Sequence, residues 1–304
     1  MLNKDAKEEV LIEGELLSQS LASLTSWHIG GIAERLYYPP DVEKLSHYLN
    51  TLSLEKPITW LGLGSNVLIR DGGIKGAVIC TRQLQELYQQ ADGSIVAQAG
   101  VTCAKFARFA SARGFADAVF FAGIPGTIGG ALAMNAGAFG GETWEWVEAV
   151  TMINRQGQFT KRSANEFDVG YRSVRSKQGQ PLQEAFIEGI FRFPLRQHTE
   201  GKNSIRELLR KRSSSQPIGT LNCGSVYRNP PGDFAARLIE ACQLKGHQVG
   251  DAIVSPKHAN FIINLGHAKA RDVEALMEII EISVLSQFGI KLFAEVKILG
   301  QKED

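Results

Sequence analysis

The chain has 304 residues, and its 33 Lys plus Arg stand against 32 Asp plus Glu for a formal charge of +1. That balance argues against a broad basic surface for nucleic acid or anionic membrane, and the length exceeds what one core ordinarily serves, so two or three domains are expected. The opening MLNKDAKEEV has no apolar signal-peptide core, and Cys80, Cys103, Cys223 and Cys242 form no CxxC pair and have no His at zinc-ligand spacing. A cytoplasmic protein with reduced thiols and no metal site is expected.

Residues 35–100 read as short strands with one helix among them. Asp41 is placed to cap a helix running to Leu52. Ile58–Leu61, Val67–Arg70, Gly76–Thr81 and Ser94–Ala99 follow as strands. Thr102 caps a second helix, Cys103–Arg113, which Gly114 stops. Ala149–Asn154 and Gln158–Arg162 flank a turn at Arg155–Gly157 and read as a hairpin, and Ala185–Phe193 is a further strand. Residues 196–216 turn polar, basic and then serine-rich, which marks a helix and a boundary into a smaller C-terminal domain. That domain has a helix around Asp233–Gln243 and a long one at Asp272–Gln287. In the latter, Val273, Leu276, Met277, Ile280 and Val284 recur at helical spacing before Gly289 ends it. Leu292–Leu299 reads as the last strand. Strands dominate the first two-thirds and helices the last third, so the class is α+β.

Between these elements lies an uncharged run, Ala118–Gly141 (AVFFAGIPGTIGGALAMNAGAFGG). Its length admits a membrane span, but its glycines and Pro125 oppose a helix: Gly costs about 1 and Pro about 3 kcal/mol relative to Ala. Glycines leave backbone N–H groups open to close approach, and the lack of charge means an anion there is held by main chain. The run thus suits a phosphate-bearing cofactor. A second glycine loop sits in Trp60–Asp71 (WLGLGSNVLIRD). Gly62-x-Gly64 invites a dinucleotide fingerprint, but Val67 replaces the third glycine and a strand follows in place of a helix. The loop is either a plain β-turn or a cradle of N–H groups and Ser65/Asn66 side chains for a pyrophosphate. Gly123–Gly130 (GIPGTIGG) likewise lacks the lysine of a P-loop. Two such loops in one β-rich region point to a dinucleotide spread across both.

TSWHIGGIA at Thr25–Ala33, GLGSN at Gly62–Asn66, AGIPGTIGGALAMNAGAFGGE at Ala122–Glu142, GYR at Gly170–Arg172, CGSVYRNP at Cys223–Pro230, SPKHANFIIN at Ser255–Asn264 and AEVK at Ala294–Lys297 occur in this order. As a set they are specific, and by them the chain resembles the UDP-N-acetylenolpyruvoylglucosamine reductases over about residues 20–300. The resemblance implies an FAD-binding fold of the vanillyl-alcohol-oxidase type in two subdomains, with a smaller α+β substrate domain. It further implies non-covalent FAD, NADPH as co-substrate, a UDP-sugar substrate and a monomer. The corresponding division is an extension at 1–20, FAD subdomains at 21–83 and 84–196, and a C-terminal domain at 197–304, whose strand 292–300 is a candidate to return to the first subdomain. The dozen residues between Arg172 and Ala185 leave no room for a substrate-covering insertion, which is the short-form pattern.

Three polar residues in the matching motifs are implied to be catalytic: Arg172, Ser225 and Glu295. A fixed guanidinium suits the charge that hydride addition pushes into a conjugated carboxylate. A glutamic acid, if protonated, can hydrogen-bond the same oxygens, and a positioned serine hydroxyl can protonate a strongly basic carbanion. Outside these motifs each has a plain structural reading as a surface arginine, turn serine or strand glutamate. Gly62, Leu63, Gly64, Ser65 and Asn66, with Gly123, Ile124, Pro125, Gly126, Thr127, Gly129 and Gly130, are expected to hold the FAD pyrophosphate. Ala131, Asn135, Ala136 and Gly137, in the second half of the run, are expected to wall the flavin. Tyr171, Tyr227, Asn229 and His258 are expected to contact substrate, and Arg210–Arg212 is either a diphosphate contact or a solvated helix face. His28 has the residue type of a covalent flavin attachment, which the resemblance disfavours, and Cys223 reads as a small buried hydrophobe. A flavin oxidase of the same fold and a non-catalytic nucleotide-binding protein are the alternatives.

Overall fold

The computed structural model describes residues 12–177, 182–194 and 201–303. Residues 1–11, the first part of the expected N-terminal extension, and 196–200, the first part of the polar segment, lie outside them.

The first lobe begins with β1 (Glu15–Ser20), β2 (Ile32–Tyr37), α1 (Val42–Thr51), β3 (Ile58–Leu61), β4 (Val67–Ile69) and β5 (Ile74–Cys80). Four of the strands make one sheet in the order β1-β2-β5-β3. β5 lies parallel to both β2 and β3, and β1 pairs antiparallel with β2. Residues 15–20, within the expected N-terminal extension, are therefore an edge strand of this sheet. β5 is buried along Gly76–Cys80, as a strand covered on both faces must be. Asp41 caps α1 by accepting the Lys44 N–H, as predicted from sequence.

The second lobe contains β6 (Leu87–Gln89), β7 (Ile95–Gln98), α2 (Cys103–Ser111), a 3-10 segment (Ala116–Gly123) and α3 (Ile128–Met134). There follow β8 (Gly137–Ala138), β9 (Gly141–Glu142), β10 (Val147–Ile153), β11 (Phe159–Ser163), β12 (Phe167–Gly170), β13 (Ser173–Ser176) and β14 (Ala185–Phe191). An antiparallel sheet β11-β10-β14-β7-β6 carries α2 and α3 on a core rich in phenylalanine. The glycine-rich run is not one helix: it is a 3-10 segment, a loop, the short α3 and a tight β8–β9 pair. Among the described residues no helix is long and apolar enough to cross a membrane.

α4 (Gly201–Ser215) leads to the C-terminal unit of α5 (Ala235–Ala241), β15 (Gln248–Val249), β16 (Ala252–Val254), β17 (Ile262–Asn264) and α6 (Ala270–Phe288), closed by β18 (Lys297–Leu299). Gly289, at φ 66°, ends α6 in the left-handed conformation that favours glycine. The final strand is shorter than the predicted Leu292–Leu299. Residues 293–295 pair instead with 226–228, where Arg228 N–H donates to Phe293 O and Glu295 N–H to Val226 O. Residues 297–299 cross to the first lobe, parallel to β4, and Gln301 bonds to Gly72 and Gly73 beyond them.

Candidate active site

A cleft of about 590 Å³ opens where the lobes meet, lined by both glycine loops and by residues of the C-terminal unit. The first loop, Gly62–Asn66, connects β3 to β4. Four of its five carbonyls are taken: Ser26 N–H donates to Gly64 O, Lys297 N–H to Asn66 O, and the Arg82 guanidinium to Gly62 O and Leu63 O. The N–H groups of Leu63, Gly64, Ser65 and Asn66 meet no protein acceptor among the described residues. In the second loop Thr127 precedes α3, yet its side chain caps nothing, and Oγ1 is buried without a partner. A Cβ placed on Gly62 would come within 2.6 Å of that Oγ1, and one on Gly126 within 3.4 Å of Ser65 Oγ. Unclaimed amides, an orphaned hydroxyl and glycines where the loops approach each other fit a pyrophosphate-bearing cofactor.

Fourteen of the sixteen residues expected to bind cofactor line this cleft: Gly62–Asn66, Gly123–Thr127, Gly130, Ala131, Ala136 and Gly137. The other two do not. Gly129 packs on β7's end, donating to Ala99 O, and a Cβ there would sit 2.8 Å from Ala99 Cβ. Asn135 is buried at φ 45°, and its side chain is fully used: Nδ2 donates to Glu142 Oε2 (2.7 Å) and Gly170 O (3.2 Å), and Oδ1 accepts from Trp144 N–H. Its work is to fix the β12–β13 hairpin against α3.

That hairpin carries Arg172 in its two-residue turn, at φ 54°, a conformation uncommon outside glycine and often retained at functional sites. Arg172 Nε donates to Glu295 Oε1 at 2.6 Å, and Nη1 and Nη2 reach Asn135 O and Gly137 O at 3.4 and 3.3 Å. Both side chains of the ion pair are mostly buried, at 17% and 14% exposure, so solvent screens it weakly. Ser225 follows Gly224, which turns the chain at φ 83°. Val226 and Tyr227 are clamped by Asn260, and Glu295 N–H donates to Val226 O at 2.7 Å, so Ser225 and Glu295 stand side by side in the cleft wall. Asn66 Nδ2 donates to Glu295 O at 3.1 Å and ties the first loop to this wall. Arg172, Ser225 and Glu295, far apart in sequence, are thus brought together.

The residues expected at the substrate are not in this cleft. Tyr227 is a core residue of the C-terminal unit: burial raises its phenol well above its ordinary value, and its hydroxyl donates to Met277 O. His258 stacks edge-on against Phe261 from behind the wall, its Nδ1 buried without a partner, and burial lowers its pKa. Tyr171 and Asn229 line a neighbouring pocket of about 410 Å³ with Arg228 and Phe293. Asn229 Oδ1 there accepts the Ala235 N–H at the start of α5. His28 is solvent-exposed, outside the cleft lining.

Some of the other lining residues, Arg212 and Lys211 among them, lie outside the motifs. Arg212, from α4, donates from Nη1 to Gly123 O and from Nε to Gln216 Oε1, and burial lowers its pKa. It is therefore not on a solvated helix face. Lys211, Phe139 and Lys297 also face the cleft. The uneven polar and basic pattern of α4 was the only sequence signal for its part in the wall. Cys223 is buried in the same wall and its thiol is pushed up by burial, while all four cysteines are free. Among the described residues no three His, Cys, Asp or Glu side chains gather as a metal site.

Two lobes, an anion cradle and an Arg–Glu–Ser wall on one cleft mark an enzyme that binds a pyrophosphate-bearing cofactor. Residues 33–163 match the FAD binding domain model, and residues 216–299 match the model for the C-terminal domain of UDP-N-acetylenolpyruvoylglucosamine reductase. A reductase of that name from Coxiella burnetii is 49% identical, covering 98% of this chain and 99% of the relative. One from Methylococcus capsulatus is 49% identical over 94% of this chain and 93% of its own length. The crystal structure of the Thermus caldophilus reductase superposes with a TM-score of 0.79 at 30% identity, covering 94% of this chain and 98% of the other. The chain belongs to the UDP-N-acetylenolpyruvoylglucosamine reductase family, and it is an FAD-containing oxidoreductase.

Proposed function

We propose that this chain reduces the enolpyruvyl group of UDP-N-acetylglucosamine enolpyruvate to the lactyl ether of UDP-N-acetylmuramate, a peptidoglycan precursor, with NADPH as donor. The observation that carries this reading is the convergence of Arg172, Glu295 and Ser225 on the wall of the cleft that holds both glycine loops. Bound FAD supplies two-electron transfer from NADPH to the substrate alkene. The Leu63–Asn66 amides and the Thr127 hydroxyl hold the pyrophosphate. Arg172 faces the substrate carboxylate and stabilises the negative charge that collects there as the alkene accepts its first new hydrogen. Glu295 orients the guanidinium through the 2.6 Å contact with Nε, leaving the Nη groups, on long bonds to carbonyls, to turn to the substrate. The Ser225 hydroxyl, which meets no hydrogen-bond partner among the described residues, delivers its proton to the other alkene carbon and regains one from solvent. The pocket of Tyr171, Arg228 and Asn229, reached past Arg172, suits the UDP end, with an aromatic ring, a cation and an amide. NADPH and substrate take turns in the main cleft.

Stopped-flow absorbance in the flavin band tests this. Wild-type protein is bleached by NADPH and recoloured by the enolpyruvyl substrate. Ser225→Ala is expected to bleach normally but recolour about 10²- to 10⁴-fold more slowly, the usual contribution of a general acid. Recolouring of the variant at the wild-type rate removes Ser225 from the mechanism; no recolouring of the wild type by this substrate sinks the reading as a whole.

A further inference from the structure

Arg82 lies outside the sequence motifs and outside the lining of the cleft. Register explains how it reaches the first glycine loop. Leu61, the last residue of β3, sits beside Cys80, the last residue of β5, so the 3-10 turn Thr81–Gln83 runs directly behind Gly62 and Leu63. From there Nε donates to Gly62 O at 3.1 Å, and Nη2 donates to Leu63 O at 2.9 Å and Leu24 O at 2.7 Å. In a trans peptide plane the C=O of one residue and the N–H of the next point in opposite directions. Holding the Gly62 and Leu63 carbonyls behind the loop therefore turns the Leu63 and Gly64 N–H groups to its front. These are two of the four consecutive amides that meet no protein acceptor. A guanidinium on the carbonyls also polarises those peptide groups and strengthens their N–H groups as donors. Arg82 makes no ion pair among the described residues, so its charge is not spent on a carboxylate.

We propose that Arg82 is a positioning residue for cofactor binding, a cation behind the cradle that orients the Leu63 and Gly64 amides toward the FAD pyrophosphate. The inference rests on the reading of this cleft as the FAD site. It places the cationic contribution behind the main chain, where an uncharged loop in the sequence gives no hint of it.

The test is titration of FAD into flavin-stripped protein by calorimetry, alongside the melting temperature of the stripped protein. Arg82→Ala is expected to weaken FAD binding about tenfold, the loss of charged hydrogen bonds that pre-set the cradle, while the stripped protein melts within about 3 °C of wild type. Arg82→Lys, a cation that cannot fork across both carbonyls, is expected to fall between the two. FAD affinity in Arg82→Ala within twofold of wild type overturns the proposal. So does weaker binding that comes only with a matching fall in the stripped protein's melting temperature, since that marks a residue of the fold. If Arg82→Ala does not fold, Arg82→Gln is judged by the same criterion. Wild-type protein that takes up no FAD fails the underlying reading separately, before Arg82 is at issue.

Discussion

Thr127 shows what a single orphaned group can reveal. A buried hydroxyl without a partner costs about 1–3 kcal/mol, and one that also borders a cleft has a ready explanation in a ligand that supplies the partner. Thr127 precedes a helix, where threonine ordinarily caps, yet its Oγ1 caps nothing and sits 2.6 Å from where a Gly62 Cβ would be. Thr127→Val keeps the shape and removes the hydroxyl. The expected result is a flavin-stripped protein at least as stable as wild type, with FAD binding weaker by about 1 kcal/mol, or roughly fivefold. A drop in stripped-protein stability with unchanged FAD affinity contradicts the assignment. The resemblance was enough to single out Arg172, Ser225 and Glu295, which the fold places on one cleft wall. It was not enough for Tyr227 and His258, because a polar residue inside a motif reads the same whether it faces a ligand or holds the motif's backbone. Asn135 is the clearest instance: its amide bonds to Glu142, Gly170 and Trp144, and no local pattern announces partners so spread.

At the level of elements, α3 turns on two adjacent glycines with opposite duties. Gly129 faces β7, and a Cβ there meets Ala99 Cβ at 2.8 Å and Ala99 main chain at 3.2 Å, whereas a Cβ on Gly130 has only Thr127 Oγ1, at 3.9 Å. Gly129→Ala is expected to destabilise the protein by about 1–3 kcal/mol through overpacking. Gly130→Ala is expected to stabilise the flavin-stripped protein by up to about 1 kcal/mol through helix propensity, and to weaken FAD binding because the methyl projects into the cleft. Thermal melts with and without FAD read both effects; equal behaviour of the two variants contradicts the division. Elements with local signals were legible: the Asp41 and Thr102 caps, the Gly289 stop, and the hairpin of β10 and β11. Elements stabilised by distant partners were not. β1 depends on pairing with β2, α3 forms despite its glycines because it packs between β14, β7 and α2, and the last strand shortens because 293–295 pair with 226–228.

Across the whole molecule, the C-terminal unit is fastened to the first lobe by contacts that a linear division into domains conceals. Trp27 is fully buried in the C-terminal core; its Nε1 donates to Ile262 O, and Asn264 Nδ2 donates to Trp27 O, each at 2.8 Å. Arg70 grips Glu274 of α6 with a forked guanidinium, and Asp71 accepts the Ala270 and Arg271 N–H groups at 3.0 and 3.1 Å. The helix of one unit is thus capped by an aspartate of the other, a favourable place for negative charge at a helix N-terminus. Such a cap contributes about 0.5–2 kcal/mol, and here it contributes to both units at once. Asp71→Ala is therefore expected to lower the melting temperature by a few degrees while unfolding remains a single transition, with far-UV circular dichroism and tryptophan fluorescence coinciding. Two separate transitions, with the C-terminal unit melting first, would show that the units are independent and that the cap acts only within its own helix. Joint unfolding has a functional reason. The glycine loops belong to the lobes and Ser225 and Glu295 to the C-terminal unit, and a shift of about 1 Å between them is enough to cost a reaction on the order of a hundredfold in rate. The fastening by Trp27, Arg70 and Asp71 keeps the proton donor in register with the cofactor cradle.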